Sequence, residues 1–80
     1  MSMLQGKEKE MYNAQKHQAK VVLTDGDVFV GHCTEFVSAL DNEPDPASLI
    51  MENPMKNGQP FAGQYVEFEL PEIQTIEILD

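Results

Sequence analysis

The side chains with the most chemical potential are an acidic run, Asp41-Asn42-Glu43-Pro44-Asp45-Pro46, and the pair His32-Cys33. Asp41 to Glu52 spans twelve positions with acids at the first, third, fifth and last, which is the spacing of a calcium-binding loop. Asp41, Glu43 and Asp45 are therefore the candidate metal ligands. Pro46, however, stands where such a loop needs glycine for its turn, and Leu49-Ile50-Met51 reads as strand with no flanking helix. The competing reading of the same stretch is a rigid, solvated loop whose prolines protect a sheet edge. His32 and Cys33 are the residue types of a base and a nucleophile, but neighbours on a strand point to opposite faces and cannot pair with each other. Cys33 then reads as a small buried apolar residue, and His32 as a surface or pore-lining histidine and a candidate ligand contact beside Asp41 and Asn42. The chain offers no Ser/His/Asp arrangement, phosphate loop or paired acids on a defined cleft, so no catalytic residue is assigned and an enzyme is not expected. No cofactor is expected either.

The elements that must position these residues follow from the periodicity. Met3 to about His17 is rich in Leu, Met, Ala, Glu, Lys and Gln and lacks proline and β-branched residues, which predicts a helix with Leu4, Met11, Tyr12 and Ala14 as its weak apolar stripe. Gly6 predicts a ragged start. From Ala19 the period falls to two, with Ala19, Val21 and Leu23 on one face. Asp25-Gly26 between apolar runs signals a hairpin turn. The second strand, Asp27 to about Val37, sets Phe29, Gly31 and Cys33 on one face and Val28, Val30 and His32 on the other. Phe36 breaks that parity, so a bulge is expected near Thr34-Glu35 to return it to the core, with Gly31 leaving the backbone room to curl. Ser38–Pro46 reads as a loop, Ser48–Glu52 as the third strand and Asn53–Gly63 as a second loop broken by Pro54, Asn57-Gly58 and Pro60. Gln64–Leu70 alternates, with Val66, Phe68 and Leu70 inward. Pro71-Glu72 makes a corner, and Ile73–Leu79 ends the sheet with Ile76 and Ile78 as core candidates.

Composition bounds the function. Eighty residues make one domain and bury only ~60–65% of the unfolded surface, so a further stabiliser is expected. Cys33 is the only cysteine, which removes an internal disulfide and the usual zinc site, and leaves self-association as the first stabiliser to expect. Five lysines stand against 14 acids for a net charge of −9, with no arginine. Phosphate neutralisation needs clustered Lys/Arg, so this balance works against nucleic-acid binding. No apolar run approaches a signal peptide or a membrane span, and with one unpaired thiol a cytoplasmic, non-membrane protein is expected.

The order of these pieces resembles the Sm/LSm-like fold. Val21-Val22-Leu23-Thr24-Asp25-Gly26 with Phe29, Gly31 and Phe36 resembles the first Sm motif. Tyr65–Leu70, Pro71 and Ile73–Leu79 resemble the second. More narrowly, VVLTDG…GHCTEFVSALDNEPDP…PEIQTIEIL is similar to small Sm-like proteins of Gram-positive bacteria and their phages, most without an assigned role. The resemblance covers roughly Lys20 to Asp80. It implies a mainly β fold: an N-terminal helix over residues 1–18, then a five-stranded, strongly bent antiparallel barrel of SH3-like form over residues 19–80, in a single domain. It further implies that the fourth strand of one subunit pairs with the fifth of the next, closing a homo-oligomeric ring of about five to eight subunits. Tyr65, Val66, Phe68, Ile76 and Ile78 are the expected interface. Sm proteins that bind uridine-rich RNA use an Asp…Asn loop and an Arg-Gly corner; this chain offers Asp41-Asn42 in a longer acidic loop and Leu70-Pro71 at the corner. The expected function is an oligomeric Sm-like scaffold with RNA as one candidate partner, against which stands an acidic module that binds a protein partner or, through Asp41–Asp45, a metal ion.

Overall fold

The computed structural model describes residues 6–39, 46–61 and 63–80. Leu4 and the acidic residues Asp41–Asp45 lie outside them. Among the described residues one helix precedes six antiparallel strands: α1 (Gly6–Ala14), β1 (Gln18–Leu23), β2 (Val28–Val37), β3 (Ser48–Lys56), β4 (Gln59–Pro60), β5 (Tyr65–Glu69) and β6 (Ile73–Ile78), with a 3-10 turn, Leu70–Glu72, at the last corner. The strands run in the spatial order β4-β3-β2-β1-β6, and β5 pairs with β3 alongside β4.

Alternation decides which side chains meet. Ala19 and Val21 of β1 pair with Gly31 and Phe29 of β2, and all four are buried. The β2–β3 ladder then skips a step: Cys33 pairs with Met51 but Glu35 with Ile50, leaving Thr34 as the extra residue. This is the expected bulge, and it returns Phe36 to the core. Gln15, in the turn after α1, accepts the Phe36 N–H at 2.9 Å, which ties the helix end to the strand beyond the bulge. Gly31 is required by close approach: a Cβ there would lie 2.9 Å from Met51 Cγ and 3.0 Å from the Glu52 carbonyl oxygen. β3 can therefore fold tightly over β2.

Two expectations are corrected. Asn53–Gly63 is not an open loop, because β3 continues through Pro54 to Lys56. A second bulge makes this possible: Val30 pairs with Met55 and His32 with Glu52, so β3 carries the extra residue, with Asn53 at φ 50°. A proline at a bulge removes no regular ladder bond. Asn57 and Gly58, at φ 52° and 83°, then form a tight hairpin into β4, with Lys56 opposite Gln59. Asn57 fastens this hairpin to the start of β2: its Oδ1 accepts the Val28 N–H at 2.8 Å and its backbone N–H donates to the Val28 carbonyl at 2.7 Å. The second correction concerns β6. Ile73 is its fully buried residue, whereas Ile78 is 40% exposed. A bulge in the β1–β6 ladder, where Val22 pairs with Thr75 but Leu23 with Ile73, shifts the inward parity.

The core joins Val21, Phe29, Cys33, Leu49, Met51, Phe68 and Ile73 with Met11 and Ala14 of α1. The Phe29 ring lies edge-on to Phe68 at 5.1 Å and to Phe61 at 5.6 Å. The helix, whose own apolar stripe is weak, is held by docking: Met11 and Ala14 are buried, and Lys7 Nζ donates to the Ile73 carbonyl.

Candidate functional site: the two open sheet edges

Among the described residues, β5 pairs only with β3, and β6 only with β1. These two strands are consecutive in the chain, joined by the Leu70–Glu72 turn, yet they do not pair with each other. The turn is pinned from both sides: Leu70 N–H donates to the Ala47 carbonyl, Thr24 N–H donates to the Glu72 carbonyl, and Glu72 Oε1 accepts the Glu69 N–H at 3.0 Å. The sheet is thus held open at a fixed place. Each free edge carries unpaired backbone donors and acceptors, the feature that invites another strand.

The side chains along these edges match that description. On β5, Phe68 and Val66 pair with Leu49 and Met51 and share their inward face. Phe68 is 1% exposed and belongs wholly to the core, whereas Val66, nearer the start of the strand, is only half-buried. Tyr65 points outward and is 64% exposed. Beside it lies an open, largely apolar depression of about 240 Å³ lined by Ile50, Tyr65, Val66 and Glu67. On β6, Ile76 and Ile78 pair with Val21 and Ala19 and so face inward. They are nevertheless half-buried and 40% exposed, because no described strand lies beyond them. Leu79, whose N–H donates to the Gln18 carbonyl, is 49% exposed. Inward-facing residues left accessible at two edges of one sheet form a core that stops short.

The structure brings Tyr65, Val66 and Phe68 together on one edge and Ile76 and Ile78 on the other. Leu79 completes the β6 edge, and Ile50 of β3, paired on both sides, lines the depression beside Tyr65; both are legible in the alternation, Ile50 as the outward neighbour of Met51 and Leu79 as the outward residue after Ile78. His32 stands apart, half-buried on the outer face between Gln18 and Glu52. Asp41, Asn42, Glu43 and Asp45 lie outside the described residues; among those described, no three His, Cys, Asp or Glu side chains are grouped to hold a metal ion. Cys33 is buried on the face opposite His32, and burial pushes its thiol up to about 11, so it is neutral and unreactive at ordinary pH. Beyond the edges, His17 Nδ1 meets Asp80 Oδ1 at 3.1 Å in an exposed pair. The Gln18 backbone N–H, then the His17 ring, hold the Asp80 carboxyl below its ordinary range. No described helix is long and apolar enough to cross a membrane.

Comparison with solved structures identifies the architecture. The chain superposes on a Sm-like archaeal protein from Pyrobaculum aerophilum with a TM-score of 0.65 at 20% identity, over 90% of this chain and 50% of that one. This chain therefore spans about half the length of that protein. It superposes equally on a heptameric archaeal Sm protein, TM-score 0.64 at 14% identity, over 90% of this chain and 98% of that one. No protein-family profile and no curated protein matches the sequence. The fold is Sm-like: a mainly β chain with an N-terminal helix and a strongly bent antiparallel sheet, in which β5 and β6 are the fourth and fifth strands of the five expected and β4 is a short added hairpin arm.

Proposed function

We propose that this chain is a non-catalytic, ring-forming Sm-like scaffold, in which the β5 edge of one copy joins the β6 edge of the next. The observation that carries the reading is the pair of open edges, each presenting unpaired backbone and accessible inward-facing apolar side chains. Pairing them continues both the hydrogen-bond ladder and the core across the contact. The heptameric state described for one structure of the same fold supports a closed ring, and a head-to-tail contact of this kind closes when its rotation allows. What the assembly carries follows from charge. At −9 per chain with no arginine, and with Leu70-Pro71 where RNA-binding relatives of the fold have Arg-Gly, the surface suits a basic protein or peptide better than RNA.

Absolute molar mass by light scattering after size exclusion tests the ring: a mass of about five to eight chains is expected, and a monomer at every concentration contradicts it. Filter binding to uridine-rich RNA at low salt tests the partner. Retention there, under the most permissive ionic condition, would make RNA the cargo.

A further inference from the structure

The two edges also determine how they can meet. On β5 the outward residues are Tyr65, Glu67 and Glu69 and the inward ones Val66 and Phe68; on β6 and its extension the outward residues are Thr75, Glu77 and Leu79 and the inward ones Ile76 and Ile78. In one antiparallel alignment Tyr65 meets Leu79, Val66 meets Ile78 and Phe68 meets Ile76, so every accessible apolar side chain of both edges finds an apolar partner. Leu79 then also comes to the apolar depression beside Tyr65. Slipping the strands by two residues in either direction sets Tyr65 against Glu77, or Leu79 against Glu67. A parallel arrangement sets Leu79 against Glu69 and Tyr65 against Thr75. Cross-strand pairs are the unit of sheet stability, so the first alignment is preferred.

That alignment has one discordant pair: it places Glu67 of one copy directly against Glu77 of the next. Resting on the ring reading above, we propose that this carboxylate pair is a proton-controlled element of assembly, which weakens the contact when both acids are ionised and strengthens it when they share a proton. The groups around the pair come from several elements: Glu35 of β2 lies opposite Ile50, His32 of β2 lies opposite Glu52, and the His17–Asp80 pair lies just beyond Leu79. Glu67 lies opposite Ile50 of β3 and between Tyr65 and Glu69 on its own strand, with Glu52 one step along the ladder. Glu77 lies opposite Lys20 of β1, between Thr75 and Leu79. Lys20 offsets one negative charge, while Glu52 and Glu69 add to the other. Lys7 of α1 is engaged with the Ile73 carbonyl at the start of β6. Two carboxylates at cross-strand distance repel each other when both are ionised, and a proton bound by either relieves that repulsion.

Charge swaps at exposed positions read this directly, with thermal melts confirming that each variant folds. Light scattering across a dilution series at pH 7.5 and low salt gives the concentration of half-assembly. Glu67→Lys, which converts repulsion into attraction, is expected to lower that concentration about tenfold. Glu69→Lys carries the same net charge but faces Thr75, and is expected to shift it far less. The double variant E67K/E77K restores a like-charge pair and is expected to lose the gain. Lowering the pH from about 7.5 to about 5.5 is expected to tighten the wild type clearly more than Glu67→Gln, since the remaining acids and histidines are common to both. An effect of E69K equal to or larger than that of E67K overturns the alignment, as does a Glu67→Gln protein that responds to acid like the wild type. If wild type and variants are all monomeric, the ring itself is refuted. An assembled but charge-insensitive wild type refutes only the carboxylate pair.

Discussion

The β2–β3 bend and the β5/β6 edges are built from the same kinds of side chain and put them to different use. In the bend, Phe29, Cys33, Leu49 and Met51 are sealed by neighbours on both sides, and even a Cβ at Gly31 has no room. At the edges, Val66, Ile76 and Ile78 face the same interior yet remain accessible, because the sheet stops at them. The difference is one of neighbours, not of composition. It separates residues that hold the protomer together from residues whose apolar surface is completed by another strand.

Substitutions should therefore divide along that line. The largest effect is expected in the sealed region: Phe29→Ala removes the ring that joins Phe61 to Phe68 and should cost about 3–5 kcal/mol, read as a loss of cooperative melting. Gly31→Ala should cost about 1–3 kcal/mol, because the Glu52 carbonyl it meets is backbone and cannot swing aside. Cys33 sharpens the comparison through its chemistry. Its thiol should react with alkylating reagent at pH 8 only as fast as the protein unfolds. Because its folded pKa is raised from 9.0 to about 11, its contribution is whole below pH 9 and is lost as pH rises toward 11. A denaturation series across that window should show stability falling, and less so in Cys33→Ala measured against its own value at pH 8. At the edge the pattern reverses. Ile78→Asn should change monomer stability by about 1 kcal/mol or less while weakening self-association at least tenfold, measured by light scattering on dilution. A monomer unfolded by that change would show that the edge belongs to the core.

Much of this division was legible in the residues themselves. The parity break between Cys33 and Phe36 implied a bulge, and Thr34 supplies it. Alternation in Gln64–Leu70 and Ile73–Leu79 gives the facing of Tyr65, Val66, Phe68, Ile76 and Ile78, while their assignment to an inter-subunit edge rests on the resemblance to the Sm-like strand order. The misreadings have two physical sources, bulges that leave no trace in composition and the lack of a neighbour at an edge. The left-handed Asn53 lets Pro54 sit inside β3, so a proline that argued for a loop instead marks an irregular strand. The irregularity opposite Leu23 turns Ile73 inward, whereas Ile78 keeps its inward facing and is left accessible by its place at the edge. Depth within the sheet was equally hidden, since Phe68 and Ile78 share an inward face and differ only in what lies beside them.

The central claim is that the backbone groups left open on β5 and β6 are satisfied by a second copy. Amide hydrogen exchange on β5 and β6, compared between concentrated and highly dilute protein, tests it most directly. The account predicts that these edge amides are strongly protected when concentrated and lose protection on dilution, while the β1–β2 and β2–β3 amides stay protected throughout. Edge amides that exchange rapidly at every concentration would contradict it.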